Sequence, residues 1–203
     1  MDFPKHIMRV DFARYAYLHK YGGIYADMDT FPVQSLESLQ LPDKVVLASE
    51  DLQHCQKYNF TEMFCNAIMI SGPQLPFWLE LMNFIAKQET SDVLEKTGPI
   101  ALTNFINQYQ GSSLETIPSC YLYPMLDGKY HQGISITYKG QPLENISQAC
   151  QNSEIYAVHQ WDSNWADNND NNENENYTII IFSVTGFLLL IIFILYFFTK
   201  NRN

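Results

Sequence analysis

A chain of 203 residues with 46% hydrophobic, 14% aromatic and 17% charged residues is long enough for one domain, or for one domain with an appendage. The hydrophobic fraction excludes global disorder and low-complexity polymers. The formal charge of −10 argues against a nucleic-acid binder held by phosphate contacts.

In chain order, residues 4–21 carry a helical pattern, with Pro4 tolerated in the first turn and Gly22-Gly23 as the stop. Strands are predicted at Ile24–Asp29, Lys44–Ser49 and Asn66–Ser71. A helix follows from about Pro76 to Lys87, and Gly98-Pro99 opens another through Tyr109. Further strands are predicted near Cys120–Tyr123, Ile134–Tyr138 and Ile155–Trp161. Helices alternating with short apolar strands indicate an α/β domain spanning residues 1–165. No internal repeat is visible.

The end of the chain differs in kind. Residues 166–177 are almost entirely Asn and acidic, which reads as a disordered spacer. Thr178–Phe198 is a 21-residue run without a charge, and as a helix about 32 Å long it matches a bilayer's hydrocarbon core. Residues 199–203 form a short tail carrying Lys200 and Arg202. An acidic flank before the span and a basic one after it place the tail in the cytoplasm and the body in a lumen or outside the cell. Three N-x-[ST] sequons, at Asn59, Asn145 and Asn176, agree with that side of the membrane. So does an even count of cysteines (Cys55, Cys65, Cys120, Cys150), which allows two disulfides in any of three pairings or four buried thiols. No leader precedes the first helix, so either the topology is inverted or the N-terminus continues beyond Met1.

The chemistry concentrates in residues 11–30. On a strand, side chains alternate, so Ile24, Ala26 and Met28 are expected to pack on a helix while Tyr25, Asp27 and Asp29 face the opposite side. Open α/β sheets bind ligands at the carboxyl ends of their strands. Two neighbouring carboxylates repel unless a cation lies between them, and such oxygen ligands select Mg²⁺ or Mn²⁺, ions that also bind a diphosphate. Asp11 and Arg14 are i,i+3 on the preceding helix. They form either an ordinary helical ion pair or a carboxylate for sugar hydroxyls with a guanidinium for phosphate. His131 and the Trp78 region read as structural.

The run DFARYAYLHKYGGIYADMDT, Asp11 to Thr30, resembles the sugar-binding region containing the DXD motif of glycosyltransferase family 32, which includes α-1,6-mannosyltransferases and inositol phosphoceramide mannosyltransferases. Further blocks recur in order: Ala48-Ser49-Glu50, Phe64 to Ile70 with Pro76-Phe77, Thr97-Gly98-Pro99, and His159 with Ser163 and Trp165. The final block departs from the family by Asn164 between Ser163 and Trp165, and the first βα segment of the family is absent, which also points to a segment before Met1.

The resemblance implies a GT-A-like fold, incomplete at its N-terminus, followed by one transmembrane helix. It implies retaining transfer of a hexose, mannose from GDP-mannose first and a UDP-sugar second, to a glycan or glycolipid in the Golgi or ER lumen. Asp27, Asp29 and His159 would hold Mn²⁺ or Mg²⁺. Asp11, Arg14, Tyr25 and Asp27 would bind the donor, and Asp11, Arg14, Asp27 and Asp29 would form the catalytic set. Asn66, Thr97 and Gly98 would lie on the acceptor side. Two other readings remain. One is a non-catalytic, membrane-tethered derivative of the fold. The other is a haloacid-dehalogenase-type phosphatase with Asp27 as nucleophile, which lacks the later acidic pair such enzymes need.

Overall fold

A computed structural model describes residues 3–129 and 131–162. The predicted spacer, membrane span and basic tail, the Asn176 sequon, and Ser163 and Trp165 lie outside these described residues. Among the described residues, no helix is long and apolar enough to cross a membrane.

The helix α1 (His6–Tyr21) ends at Gly22, with φ of 63°. Here glycine is needed twice over: a side chain would strain the backbone, and a Cβ would lie 2.6 Å from Pro73 N and 2.8 Å from Ser71 O. The chain continues as β1 (Gly23–Ala26), β2 (Thr30–Pro32), β3 (Val45–Ala48), α2 (Leu52–Lys57) and β4 (Ile68–Ser71). After these come α3 (Pro76–Ala86), α4 (Val93–Lys96), α5 (Pro99–Ile106) and β5 (Leu114–Ile117). The last elements are α6 (Ser119–Leu122), β6 (Ile134–Tyr138), β7 (Gln141–Ile146) and β8 (Ala157–His159).

A four-stranded sheet has the order β1-β4-β3-β5, with β3 and β5 parallel and the other pairs antiparallel. The alternation of a strand divides its side chains between two clusters. Val45, Leu47 and Met69 join Tyr15, Leu18, Phe77, Trp78, Leu81, Leu102 and Phe105 from α1, α3 and α5. Ala48 and Ile68 join Leu122 and Tyr123, at the end of α6, and Ala157 of β8. Strands β2 and β8 form a separate antiparallel ribbon, and β6 and β7 form a hairpin turned through Lys139 and Gly140, both at positive φ.

The mixed α/β class agrees with the sequence, and two local expectations are corrected. The strand predicted at Ile24–Asp29 stops at Ala26. As an outer strand of the sheet it leaves Ile24 exposed, while Met28 projects fully into solvent and Tyr25 packs against the core. The strand predicted at Cys120–Tyr123 is instead the single helical turn α6, started by Pro118. Four apolar residues fit either period, and Pro118 tips the balance. The cysteines, left open between disulfides and buried thiols, divide evenly: Cys120 pairs with Cys150, and Cys55 and Cys65 are buried thiols.

Candidate functional site

The backbone leaves the sheet after Ala26, where Asp27 N–H donates to Ala67 O at 2.8 Å. Thr30 N–H returns to Asp27 O at 3.1 Å, closing a turn that carries Asp27, Met28 and Asp29. A turn, not strand alternation, therefore sets the two carboxylates. Strand β8 pairs with β2 so that His159 lies opposite Thr30, which brings the imidazole beside Asp29. One donor atom from each of Asp27, Asp29 and His159 lies within 4.8 Å of the others.

Asp29 is gripped on three sides. His159 Nε2 lies 3.2 Å from its Oδ1, Asp162 N–H donates to its Oδ2 at 3.1 Å, and Gln160 N–H donates to its carbonyl at 2.9 Å. The His159 contact, more than burial opposes it, holds the Asp29 carboxyl below the usual carboxylate range. His159 Nδ1 is buried without a hydrogen-bond partner.

Behind this group lies a buried polar network. Arg14 stands between Asp11 (Nη2 to Oδ1, 3.1 Å) and Asp27 (Nη1 to Oδ1, 3.1 Å), and its Nη1 also donates to Asn66 O at 2.8 Å. The guanidinium lies 4.6 Å from the centre of the Tyr25 ring, whose hydroxyl donates to Asp27 Oδ1 at 2.7 Å. Asp11 accepts from Asn66 Nδ2 at 3.0 Å and from Thr97 Oγ1 at 2.7 Å. Tyr15 closes the circuit, accepting from Asn66 Nδ2 and donating to Thr97 O. Burial pushes the Asp11 carboxyl up, and Arg14 with the two hydrogen bonds pulls the other way. Asp11 and Asp27 raise the Arg14 guanidinium against its own burial, so it stays charged.

Residues 2–52, which contain both the turn and the α1 half of the network, match the family model described as a glycosyltransferase sugar-binding region containing DXD motif. This segment resembles a DXD-type glycosyltransferase sugar-binding region. The resemblance read from Asp11–Thr30 therefore holds. The chain is 31% identical over 125 residues to "Putative glycosyltransferase HOC1" of Saccharomyces cerevisiae (strain ATCC 204508 / S288c). That match covers 56% of this chain and 32% of the yeast protein, so the chain spans about a third of its relative's length. A solved structure, PaToxG Glycosyltransferase, is similar at 22% identity and a TM-score of 0.41 over 51% of this chain and 35% of that one.

Within this sugar-binding region and its surroundings, Asp27, Asp29 and His159 converge, and Arg14 links Asp27 to Asp11. Asn66 and Thr97, expected to face an acceptor, are instead buried and point their polar groups at Asp11 and Tyr15. Gly98 contributes backbone: it precedes α5, and a Cβ there would lie 3.0 Å from Leu94 Cα. Sequence reasoning missed Tyr15 and the Asp162 amide. Tyr15 follows Arg14 directly in the Asp11–Tyr15 run and was available as a candidate, whereas a backbone N–H at residue 162 has no sequence signal. Trp161 was also missed as a wall of the site; its ring lies edge-on between His54 at 4.3 Å and His159 at 4.5 Å.

Proposed function

We propose that this chain is the membrane-tethered body of a retaining, metal-dependent glycosyltransferase. It transfers a hexose, mannose first, from a nucleotide-diphosphate sugar to a glycan or glycolipid in the lumen of the Golgi or ER. GDP-mannose is the first donor to test and UDP-sugars the second. The observation that carries the reading is the convergence of Asp27 and Asp29, inside the segment that matches the DXD model, with His159 from β8.

The donor set suits a divalent ion. Two carboxylates and one imidazole are ligands for Mn²⁺ or Mg²⁺, and a cation between Asp27 and Asp29 relieves their repulsion. When bound, such an ion supplies Lewis-acid charge to a departing diphosphate. The chain's own residues prepare the place. Arg14 and Tyr25 both engage Asp27 Oδ1, which orients that carboxylate and leaves its second oxygen for a ligand. The Asp162 amide fixes Asp29 in the same way. Asp11 has both oxygens satisfied by protein donors and is 4% exposed, so in this reading it holds Arg14 in position instead of touching the sugar. The Arg14 charge stabilises negative charge gathered at the turn.

The test is nucleoside diphosphate release from GDP-mannose, UDP-galactose and UDP-N-acetylglucosamine by the full chain, with and without Mn²⁺. Mn²⁺-dependent release that disappears in Asp29→Ala is expected. Release of inorganic phosphate from a monoester would favour the phosphatase. Absence of nucleotide binding in every donor series would leave the non-catalytic derivative.

A further inference from the structure

We infer that Asn59 is an acceptor site for an N-linked glycan and that Asn145, which carries the same consensus, is not. Both residues begin an N-x-[ST] sequon, Asn59-Phe60-Thr61 and Asn145-Ile146-Ser147, so the sequence treats them alike. The structure separates them.

Asn59 lies in the turn that follows α2, at φ of 61°, a left-handed conformation that Asn tolerates well. Asn59 and Thr61 are exposed and Phe60 is half-buried, so the acceptor amide and the sequon hydroxyl both face solvent. The turn is held by backbone alone, with Asn59 N–H donating to Gln56 O and Phe60 N–H to Cys55 O. The Asn59 side chain makes no hydrogen bond among the described residues, so a sugar on Nδ2 displaces nothing.

Asn145 is built into the fold. Its Nδ2 donates to Leu126 O, and its Oδ1 accepts from Gly133 N–H at 2.6 Å. A Cβ on Gly133 would lie 2.3 Å from the Asn145 carbonyl carbon, and Ile146 and Ser147 are buried. A glycan on Nδ2 would break the Leu126 bond and force open the packing of β7 against Leu126 and Gly133.

The Cys120–Cys150 disulfide is a second, independent observation in favour of the compartment where this modification occurs, because disulfides persist in oxidising lumens. The co-reactant is an oligosaccharide on a lipid diphosphate. Asn59 Nδ2 attacks C1 of the first sugar, the C1–N bond forms, and the C1–O bond breaks with its electron pair leaving on the lipid diphosphate. One Nδ2 proton passes to a base.

The decisive experiment is peptide mapping of the full chain purified from its own cells, before and after peptide-N-glycosidase in heavy-oxygen water. Conversion of Asn59 to labelled Asp, with the Asn145 peptide unmodified, is the expected result. An unmodified Asn59, or a glycan on Asn145, overturns the inference. In the same cells Thr61→Ala, which removes the sequon and leaves Asn59 at its left-handed position, should migrate faster by one glycan and keep wild-type thermal stability. Asn145→Gln should leave the glycan in place while lowering stability, and loss of a glycan from Asn145→Gln would also overturn the inference.

Discussion

Asp29 and His159, 130 positions apart in sequence, meet at 3.2 Å because β2 and β8 pair in the register that sets Thr30 opposite His159. The contact joins the DXD turn to the last strand of the body, so the candidate cation site exists only once both ends of the domain have folded. Neither partner is anchored by a neighbour in sequence alone. The site is thus a reporter of tertiary structure as well as a candidate centre of chemistry.

Loss of the imidazole should therefore weaken metal binding without removing the turn. His159→Ala is expected to reduce Mn²⁺ affinity by at least the roughly 10–100-fold seen when an outer-shell partner is lost. Titration followed by electron paramagnetic resonance of free Mn²⁺ measures it. Unchanged affinity would remove His159 from the donor set.

The depressed Asp29 carboxyl has a consequence for pH. A carboxyl with a folded-state value below its unfolded one, about 3.9 for Asp, contributes stability that is present above the unfolded value. That contribution disappears as pH falls through the lowered folded value. The stability difference between wild type and Asp29→Asn in metal-free buffer should shrink as pH falls below about pH 4. Urea denaturation at a series of pH values checks this, and a difference that grows on acidification would contradict it.

Thr97 should matter more than a surface hydroxyl would. Thr97→Val keeps the shape but takes one hydrogen-bond donor from the buried Asp11 carboxylate. The expected cost is about 1–3 kcal/mol, read as a lower urea midpoint with an unchanged slope. Because the Thr97 carbonyl still accepts from Tyr15, the loss isolates the hydroxyl.

The two free thiols should be silent in the native chain. Burial first, then the nearby Glu50 charge, pushes the Cys55 thiol up to about 11, and Cys65 rises well above its ordinary value for the same reasons. Each thiol favours the folded state below the ordinary thiol value of about 8.5, and that preference is lost as pH climbs through the raised value. Iodoacetamide at pH 8 is expected to label neither thiol before denaturation and both after it. Labelling of Cys120 and Cys150 should require reduction as well.

Much of the framework was legible in the sequence because its signals are local. The period of α1, the Gly22 stop, the Pro76 and Pro99 helix starts and the β-rich runs at 45–48 and 68–71 each depend on a few adjacent residues. The Asp27/Asp29 pair and the Asp11/Arg14 pair were legible for the same reason. Other features were not. Cys120–Tyr123 fits two periods, and only its packing under the sheet shows which one forms. The β1 edge exposes the row that alternation predicts to be buried, since burial depends on what pairs with a strand and not on its pattern.

The sequence by itself determined that this chain carries a segment resembling a DXD-type sugar-binding region and that two carboxylates sit near its centre. Tertiary structure alone decided that Asn66 and Thr97 turn inward to brace Asp11, that Cys120 pairs with Cys150, and that the Asn145 side chain is committed to Leu126 and Gly133 while that of Asn59 makes no hydrogen bond among the described residues. The physical reason is the same in each case. A residue's chemistry is written at its own position, but the partner that commits it arrives from another part of the chain, and no local pattern specifies that arrival.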